Sequence, residues 1–200
     1  MRQLLLALPL SLLPLAAPAL AADAAPHHTH ADAHGHAALP AHEHGTAELD
    51  VAVDGALVEL ELRSPAANLL GFEHAPDGDA DERQVAQVRA HLEQPQWLFG
   101  LPERAACSVE EQAIESPLLG GGHAGYSRGG APKEAASQGE HTDIHARYRL
   151  QCAEPAALTS LELGELFTAY PQLQRVRVQL LGASGQRAVE LEPGRSALAL

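Results

Sequence analysis

Sulfur-containing residues are scarce in this chain. Its only methionine is Met1, and its only cysteines are Cys107 and Cys152. Proteins that handle copper(I) use soft thioether and thiolate ligands, so a chain with so few of them is a poor candidate for that role. Imidazole and carboxylate groups are left as the main candidate metal ligands.

Basic residues are also few, with 13 Lys and Arg against 26 Asp and Glu. Nucleic acid is an improbable partner, because no basic patch exists to neutralise phosphates. No second long apolar run follows the one at the start of the chain, so we expect the mature protein not to be embedded in a membrane. The acidic balance favours local accumulation of cations, but it is equally typical of a surface that serves solubility.

The first residues, MRQLLLALPLSLLPLAAPALA, have the features of a signal peptide. Arg2 precedes an apolar stretch, and small residues stand at Ala19 and Ala21. Three prolines interrupt the stretch, which disfavours a retained membrane anchor. We expect residues 1–21 to be removed and the other residues, about 180 of them and enough for one domain, to be exported to a bacterial periplasm as a monomer.

The two cysteines belong to a chain that is expected to be exported, where a disulfide bond is the default. A bond between Cys107 and Cys152 would close a loop of 46 residues and would stabilise the fold by roughly 4 kcal/mol in the chain-entropy model. A pair of thiolate metal ligands is the alternative, which an oxidising compartment disfavours.

A histidine-rich segment follows the signal peptide. Residues 26–45 read PHHTHADAHGHAALPAHEHG and hold seven of the twelve histidines of the chain. Imidazole is the commonest metal ligand, whereas the Ala, Gly and Asp spacers cannot build a core. We therefore predict a disordered arm over residues 22–45 that collects zinc, with nickel and cobalt less favoured, rather than an inert linker or a tag. Its candidate ligands are His27, His28, His30, His34, His36, His42 and His44.

The early part of the remaining chain is predicted to contain a β-hairpin and a helix. Apolar and polar residues alternate over residues 46–53 and 58–62 on either side of Asp54-Gly55, a strong hairpin signal. Residues 64–76, SPAANLLGFEHAP, are interpreted as a loop. Residues 79–94 fit a helix in which Asp79 is the cap and Glu82 completes a capping box.

Later elements are predicted from the same kinds of pattern. Trp97 is expected in the core with Leu98, Phe99 and Leu101, and His91 is interpreted as a packing or surface histidine. Strands are expected over residues 106–115, 176–180 and 187–191, and a short helix or strand–helix junction over residues 161–170. Residues 116–139 are rich in glycine and are predicted to form a long mobile loop.

Residues 141–152, HTDIHARYRLQC, form the second candidate metal-binding stretch. In a strand, His141, Asp143 and His145 share one face, opposite the apolar positions. Neighbouring members of this trio would lie about 6.6 Å apart, close enough for two side chains to share an ion. We expect a pair from this trio to bind metal together with His74, Glu73 or the arm. An exposed polar strand face explains the trio equally well.

Taken together, the patterns indicate an α+β fold over residues 46–200. The sheet is predicted to be mostly antiparallel, with two short helices, and Cys107 and Cys152 would join its two halves, each of which contains strands and one helix. The similar order of elements in these halves is a weak hint of duplication.

Five motifs together resemble the ZrgA-like periplasmic zinc-uptake proteins. They are HEHG at 42–45, SPAANLLGFEHAP at 64–76, Cys107, HTDIHARYRLQC at 141–152 and LFTAYP at 166–171. The resemblance covers essentially the whole mature chain. It implies a zinc-regulated, zinc-binding periplasmic protein, not an enzyme, that assists an ABC-type importer. The candidate ligands carried over are His42, His44, His74, His141, Asp143 and His145.

One feature departs from this resemblance. The family is expected to carry a histidine-rich tract in the loop between the two halves, whereas residues 116–139 hold only His123. This chain would therefore gather zinc through its amino-terminal arm instead.

Two other functions remain open from the sequence. A zinc hydrolase is disfavoured because the helical H-E-x-x-H motif is absent and a disordered arm offers no preorganised site, although the strand trio could supply one. A passive metal buffer would bind zinc only through the arm, so removal of the arm would separate it from a carrier.

Overall fold

A six-stranded sheet forms the centre of the computed structural model, which describes residues 43–120 and 142–200. The strands are β1 (Thr46–Asp54), β2 (Leu57–Pro65), β3 (Cys107–Glu115), β4 (Asp143–Cys152), β5 (Ser160–Glu162), β6 (Arg175–Gly182), β7 (Gly185–Leu191) and β8 (Ala197–Ala199). The α-helices are α1 (Ala66–Leu70), α2 (Asp79–Leu92), α3 (Pro95–Leu98) and α4 (Gly164–Ala169). The fold is α+β, as the sequence predicts.

The strand order of the central sheet is β3-β4-β2-β1-β6-β7, and β5 and β8 form a separate pair. All pairs are antiparallel except β1 with β6, which run parallel. The two halves of the chain interleave, because β4 lies between β3 and β2. The described residues all belong to one compact unit, Pro40–Leu200.

The period-2 alternation of the strands gives the sheet one apolar and one charged face. On β4, Ile144, Ala146, Tyr148 and Leu150 are buried, as their shared parity predicts. These residues join one core with Val88 and Leu92 of α2 and Phe99 after α3. The Tyr148 hydroxyl donates to the Leu92 carbonyl over 2.7 Å, and burial raises the pKa of this tyrosine. The opposite face carries the charged residues of β1, β2 and β4.

The β-hairpin prediction is confirmed by the pairing of β1 with β2. The disulfide prediction is confirmed as well, because Cys107 and Cys152 are bonded and lie directly opposite each other on β3 and β4. The predicted strand–helix junction corresponds to β5 followed by α4. His91 is partly buried and packs against the rings of Trp97 and Tyr170, in agreement with a packing histidine.

Three predictions about local structure are wrong. Residues 64–76 are not all loop, because the Ala-Ala-Asn-Leu-Leu run forms α1. The cap of α2 is Gly78, with no side-chain hydrogen bond; the acidic residues instead occupy the first turn, where they complement the helix dipole. With α1 and the short α3, the described residues contain four α-helices instead of the expected two.

The third error concerns Trp97, which is 40 % exposed rather than part of the core. Pro95 and Leu98 of α3 are both buried. Residues three apart share one face of a helical turn, so Trp97 projects from the other side, over the ring of His91. The neighbouring Phe99 is fully buried, as predicted.

Some predictions lie outside the described residues. They are the signal peptide, residues 22–42 of the arm, and residues 121–139 of the glycine-rich loop. Within residues 43–120 and 142–200, no helix has the length and apolar character needed to cross a membrane.

Candidate metal centre

Three of the motifs identified in the sequence meet at one end of the central sheet. The start of β1, the end of β2 and the start of β4 share this end, because Glu48 pairs with Arg63 and Pro65 pairs with Asp143. A further link joins α1 to the residue before β4, since the Ala66 N–H donates to the Thr142 carbonyl over 2.7 Å. The strand register therefore brings residues 43–45, 64–74 and 142–145 into one region.

The HEHG motif ends in a tight turn at Gly45, whose φ of +84° favours glycine. The Gly45 carbonyl accepts from the backbone N–H groups of Gln174 and Arg175. Its own N–H donates over 2.7 Å to the side-chain oxygen of Asn68 on α1. Glu43, two residues earlier, forms an ion pair with Arg177 at 2.6 Å. His44 is thus held between two anchored residues.

His44 lies against a carboxylate of the second motif. Its Nε2 is 3.1 Å from Oε1 of Glu73, and the imidazole is 54 % exposed. A carboxylate can only accept a hydrogen bond when ionised, so this contact requires the proton on Nε2. The neutral ring then carries its lone pair on Nδ1, the form in which imidazole binds metal.

His74 is fixed by a comparable contact through its other nitrogen. Its Nδ1 lies 2.9 Å from the Ala75 carbonyl oxygen, which requires the proton on Nδ1 and leaves the lone pair on Nε2. The ring stacks on Phe72 with centroids 4.8 Å apart, and Asp81 lies 3.9 Å from Nδ1. Oxygen partners of this kind orient histidine ligands in metal sites.

Asp143 and His145 form the third part of the candidate centre. Both lie on the charged face of β4, with Nε2 of His145 3.9 Å from Oδ2 of Asp143. The sequence predicts this shared face. His145 faces Arg63 on β2 and Glu115 on β3 across the ladder.

Arg63 is a positive charge directly opposite His145 in the ladder between β2 and β4. It forms ion pairs with Glu48, Asp50 and Glu61 at 3.2, 2.9 and 3.1 Å. Partial burial lowers the pKa of the guanidinium, but its hydrogen bonds to these three carboxylates and the charge of Asp50 outweigh that effect and raise it. Its cation is therefore engaged by β1 and β2, not by Asp143.

A broad depression of about 670 Å³ on the charged face lies away from these histidines. Its lining includes four carboxylates and two arginines but no histidine; these charged residues are Asp50, Glu59, Glu61, Glu111, Arg147 and Arg149. Because imidazole is the commonest metal ligand in proteins, this depression is not our candidate for a zinc site. The candidate metal ligands lie at one end of the sheet instead.

The structure describes only some of the candidate ligands. It pairs His44 with Glu73 and Asp143 with His145, and it leaves His74 beside Asp81. Within residues 43–120 and 142–200, no three His, Cys, Asp or Glu side chains are gathered tightly enough to hold an ion as they stand. The other candidates lie outside these residues and stay predictions: His27, His28, His30, His34, His36, His42 and His141.

Sequence reasoning missed the residues that support these side chains. Asn68 is 3 % exposed, and its amide donates to the Thr46 carbonyl at 2.9 Å and to the Ser64 hydroxyl at 3.1 Å. A lone polar residue inside the apolar run Ala-Ala-Asn-Leu-Leu was a usable signal, because buried amides are hydrogen-bonded. The Glu43–Arg177 pair had no local signal.

Comparisons with known proteins identify the family of this chain through a match that includes the candidate centre. No curated protein matches the chain at a significant level. The family model described as "ZrgA family zinc uptake protein" matches residues 41–200. This range includes the His44–Glu73 contact, the Asp143–His145 pair and the disulfide. Because this match covers most of the chain, the protein belongs to the ZrgA family of zinc uptake proteins.

Proposed function

We propose that this protein captures Zn²⁺ in the periplasm and passes it towards an ABC-type importer. Family membership supports a role in zinc uptake. The observation that carries the more specific proposal is the orientation of His44 and His74, each with one ring nitrogen directed at an oxygen partner. The protein acts as a carrier of zinc and not as an enzyme.

The chemistry of these two contacts suits a transferable ion. Glu73 and the Ala75 carbonyl direct the lone pairs of His44 and His74 to Nδ1 and Nε2, so no tautomer change is needed before binding. Both imidazoles are more than half exposed, which leaves them accessible to incoming zinc and to a receiving protein. Zinc in proteins takes about four ligands, and we propose that Asp143, His145, His141 and His42 are the candidates for the others.

The arm and the domain have different roles in this proposal. The arm histidines His27, His28, His30, His34 and His36 collect zinc weakly, and the folded site holds one ion for transfer. A signal peptide over residues 1–21 would deliver the chain to the periplasm, and we expect a monomer there. Nickel or cobalt would bind the same ligands less favourably in the cell.

Zinc titration by calorimetry tests this division of roles. In the arm variant, His27, His28, His30, His34 and His36 are all changed to asparagine, and we expect one tight site to survive with the weak sites lost. The substitutions stop before Glu43, because residues 43–45 are hydrogen-bonded to the sheet. Loss of all binding in the arm variant would contradict the carrier proposal and would favour a passive buffer.

The affinity of the folded site should depend strongly on pH. Zinc must displace protons from its histidine ligands, and the unperturbed pKa of imidazole is near 6.5. Each such ligand loses roughly eightfold in its neutral fraction between pH 7 and pH 5.5, so two ligands lower the affinity by roughly 60-fold. Titration of the arm variant at both pH values measures this ratio. A ratio near one would exclude histidine ligation.

A further inference from the structure

Asn68 is a buried polar side chain that lies beside the candidate ligands and that the proposed function does not use. Its oxygen accepts from the Gly45 N–H, and its nitrogen donates to the Thr46 carbonyl and the Ser64 hydroxyl. We propose that Asn68 is a positioning residue of the zinc site, which holds His44 against Glu73 without binding the ion. This inference rests on the proposed function and adds a residue to it.

The position of Asn68 in the chain explains how one side-chain amide can hold His44 against Glu73. Gly45 is the residue after His44, so the Gly45–Asn68 hydrogen bond fixes the backbone from which His44 projects. On the other side, α1 carries Asn68 and ends at Gly71, whose φ of +86° turns the chain into residues 72–74. The same side chain therefore ties together the two segments whose His44 and Glu73 meet at 3.1 Å.

A second connection runs from Asn68 towards Asp143. The Ser64 hydroxyl, which accepts from Asn68, donates to the Pro65 carbonyl over 3.1 Å. Pro65 lies opposite Asp143 in the ladder between β2 and β4. Loosening Asn68 would therefore disturb both groups of candidate ligands, although none of them would be altered chemically.

Asparagine is suited to this position because it accepts and donates at once. Alanine removes all three hydrogen bonds and leaves the Gly45 N–H without its acceptor. Aspartate keeps an acceptor for Gly45 but loses the donors to Thr46 and Ser64. Metal sites are sensitive to such supporting hydrogen bonds, whose removal typically weakens metal binding by about 10- to 100-fold.

The test compares zinc affinities in the full-length arm variant, with ZnCl₂ as the titrant. We expect Asn68→Ala to weaken the tight site by at least about tenfold and Asn68→Asp to weaken it as well, because an ionised carboxylate cannot donate to the Thr46 carbonyl. The matched control is Leu69→Ala, because Leu69 is the next residue of α1, is 2 % exposed and contributes only packing. At a temperature at which circular dichroism shows each variant folded, Leu69→Ala should keep the affinity within about twofold.

Two results would overturn the inference. One is a zinc affinity of Asn68→Ala equal to that of the arm variant, and the other is a loss of zinc affinity in Leu69→Ala as large as that in Asn68→Ala. If Asn68→Ala does not fold, Asn68→Asp decides in its place, and an unchanged affinity there refutes the role of the donors. The arm variant in which Asn68 is unchanged distinguishes failure of this inference from failure of the proposed function. Absence of a tight site in that protein would refute the proposed function and the role of Asn68 together.

Discussion

Replacing His44 and His74 together by alanine in the arm variant should abolish its tight zinc site, with a loss in affinity of at least about 100-fold. Supporting groups alone are worth about 10- to 100-fold in metal sites, and this change removes two imidazoles that bind the ion directly in our proposal. Each is oriented by its own oxygen partner. Calorimetric titration with zinc at pH 7 measures the loss.

His91→Ala is the matched control for this double substitution. His91 lies on α2 and contacts Trp97 and Tyr170, whose hydroxyl is 3.3 Å from its Nδ1. It lies outside the candidate centre, so its removal should leave the affinity within about twofold. The double variant should also keep its thermal midpoint, because surface substitutions away from the core change stability by about 0.5 kcal/mol or less. An unchanged affinity in the double variant would place the tight site elsewhere.

Single substitutions of Asp143 and His145 then identify the remaining ligands. These side chains lie 3.9 Å apart, and either could contribute to an ion that His44 and His74 hold. Loss of affinity on Asp143→Ala or His145→Ala would extend the site to β4. The corresponding change at Arg147, which projects from the same face and pairs with Glu115, provides a control on that strand.

Much of the fold follows from local sequence pattern. The alternation on β1, β2 and β4 predicts which residues are buried, because side chains of a strand point to opposite faces in turn. The Asp54-Gly55 signal predicts that β1 lies beside β2, although the turn itself is formed by Gly55 and Ala56, because Asp54 pairs with Leu57. The same alternation predicts that Asp143 and His145 share a face, as the structure shows.

The arrangement of the candidate centre depends on contacts between distant segments. The parallel pairing of β1 with β6 brings Arg177 to Glu43, a separation of 134 residues. No periodic pattern in either segment encodes this partner. The contact of His44 with Glu73 depends in the same way on α1. The sequence did not predict this helix, because two prolines and a glycine in residues 64–76 favoured a loop. The candidate residues could be named from the sequence, whereas their contacts with one another could not.

Removing the disulfide should lower the free energy of unfolding by roughly 4 kcal/mol. The bond links residues 45 positions apart, so its loss frees a long loop in the unfolded chain. It also joins β3, an edge strand with one neighbour, to β4. Urea unfolding of Cys107→Ala/Cys152→Ala measures the change. With a slope near 2 kcal/mol per molar urea, the midpoint should fall by about 2 M.

The same variant should leave zinc affinity almost unchanged while it remains folded. Cys152 lies seven residues along β4 from His145, which is about 23 Å of extended strand. The disulfide therefore holds the far end of the β3–β4 pair, away from the candidate centre. An affinity within about twofold of the arm variant, together with the lowered urea midpoint, would show that stability and zinc binding reside at opposite ends of the sheet. A parallel loss of both would show that the bond shapes the site, and an unchanged midpoint would refute the stabilising role of the bond.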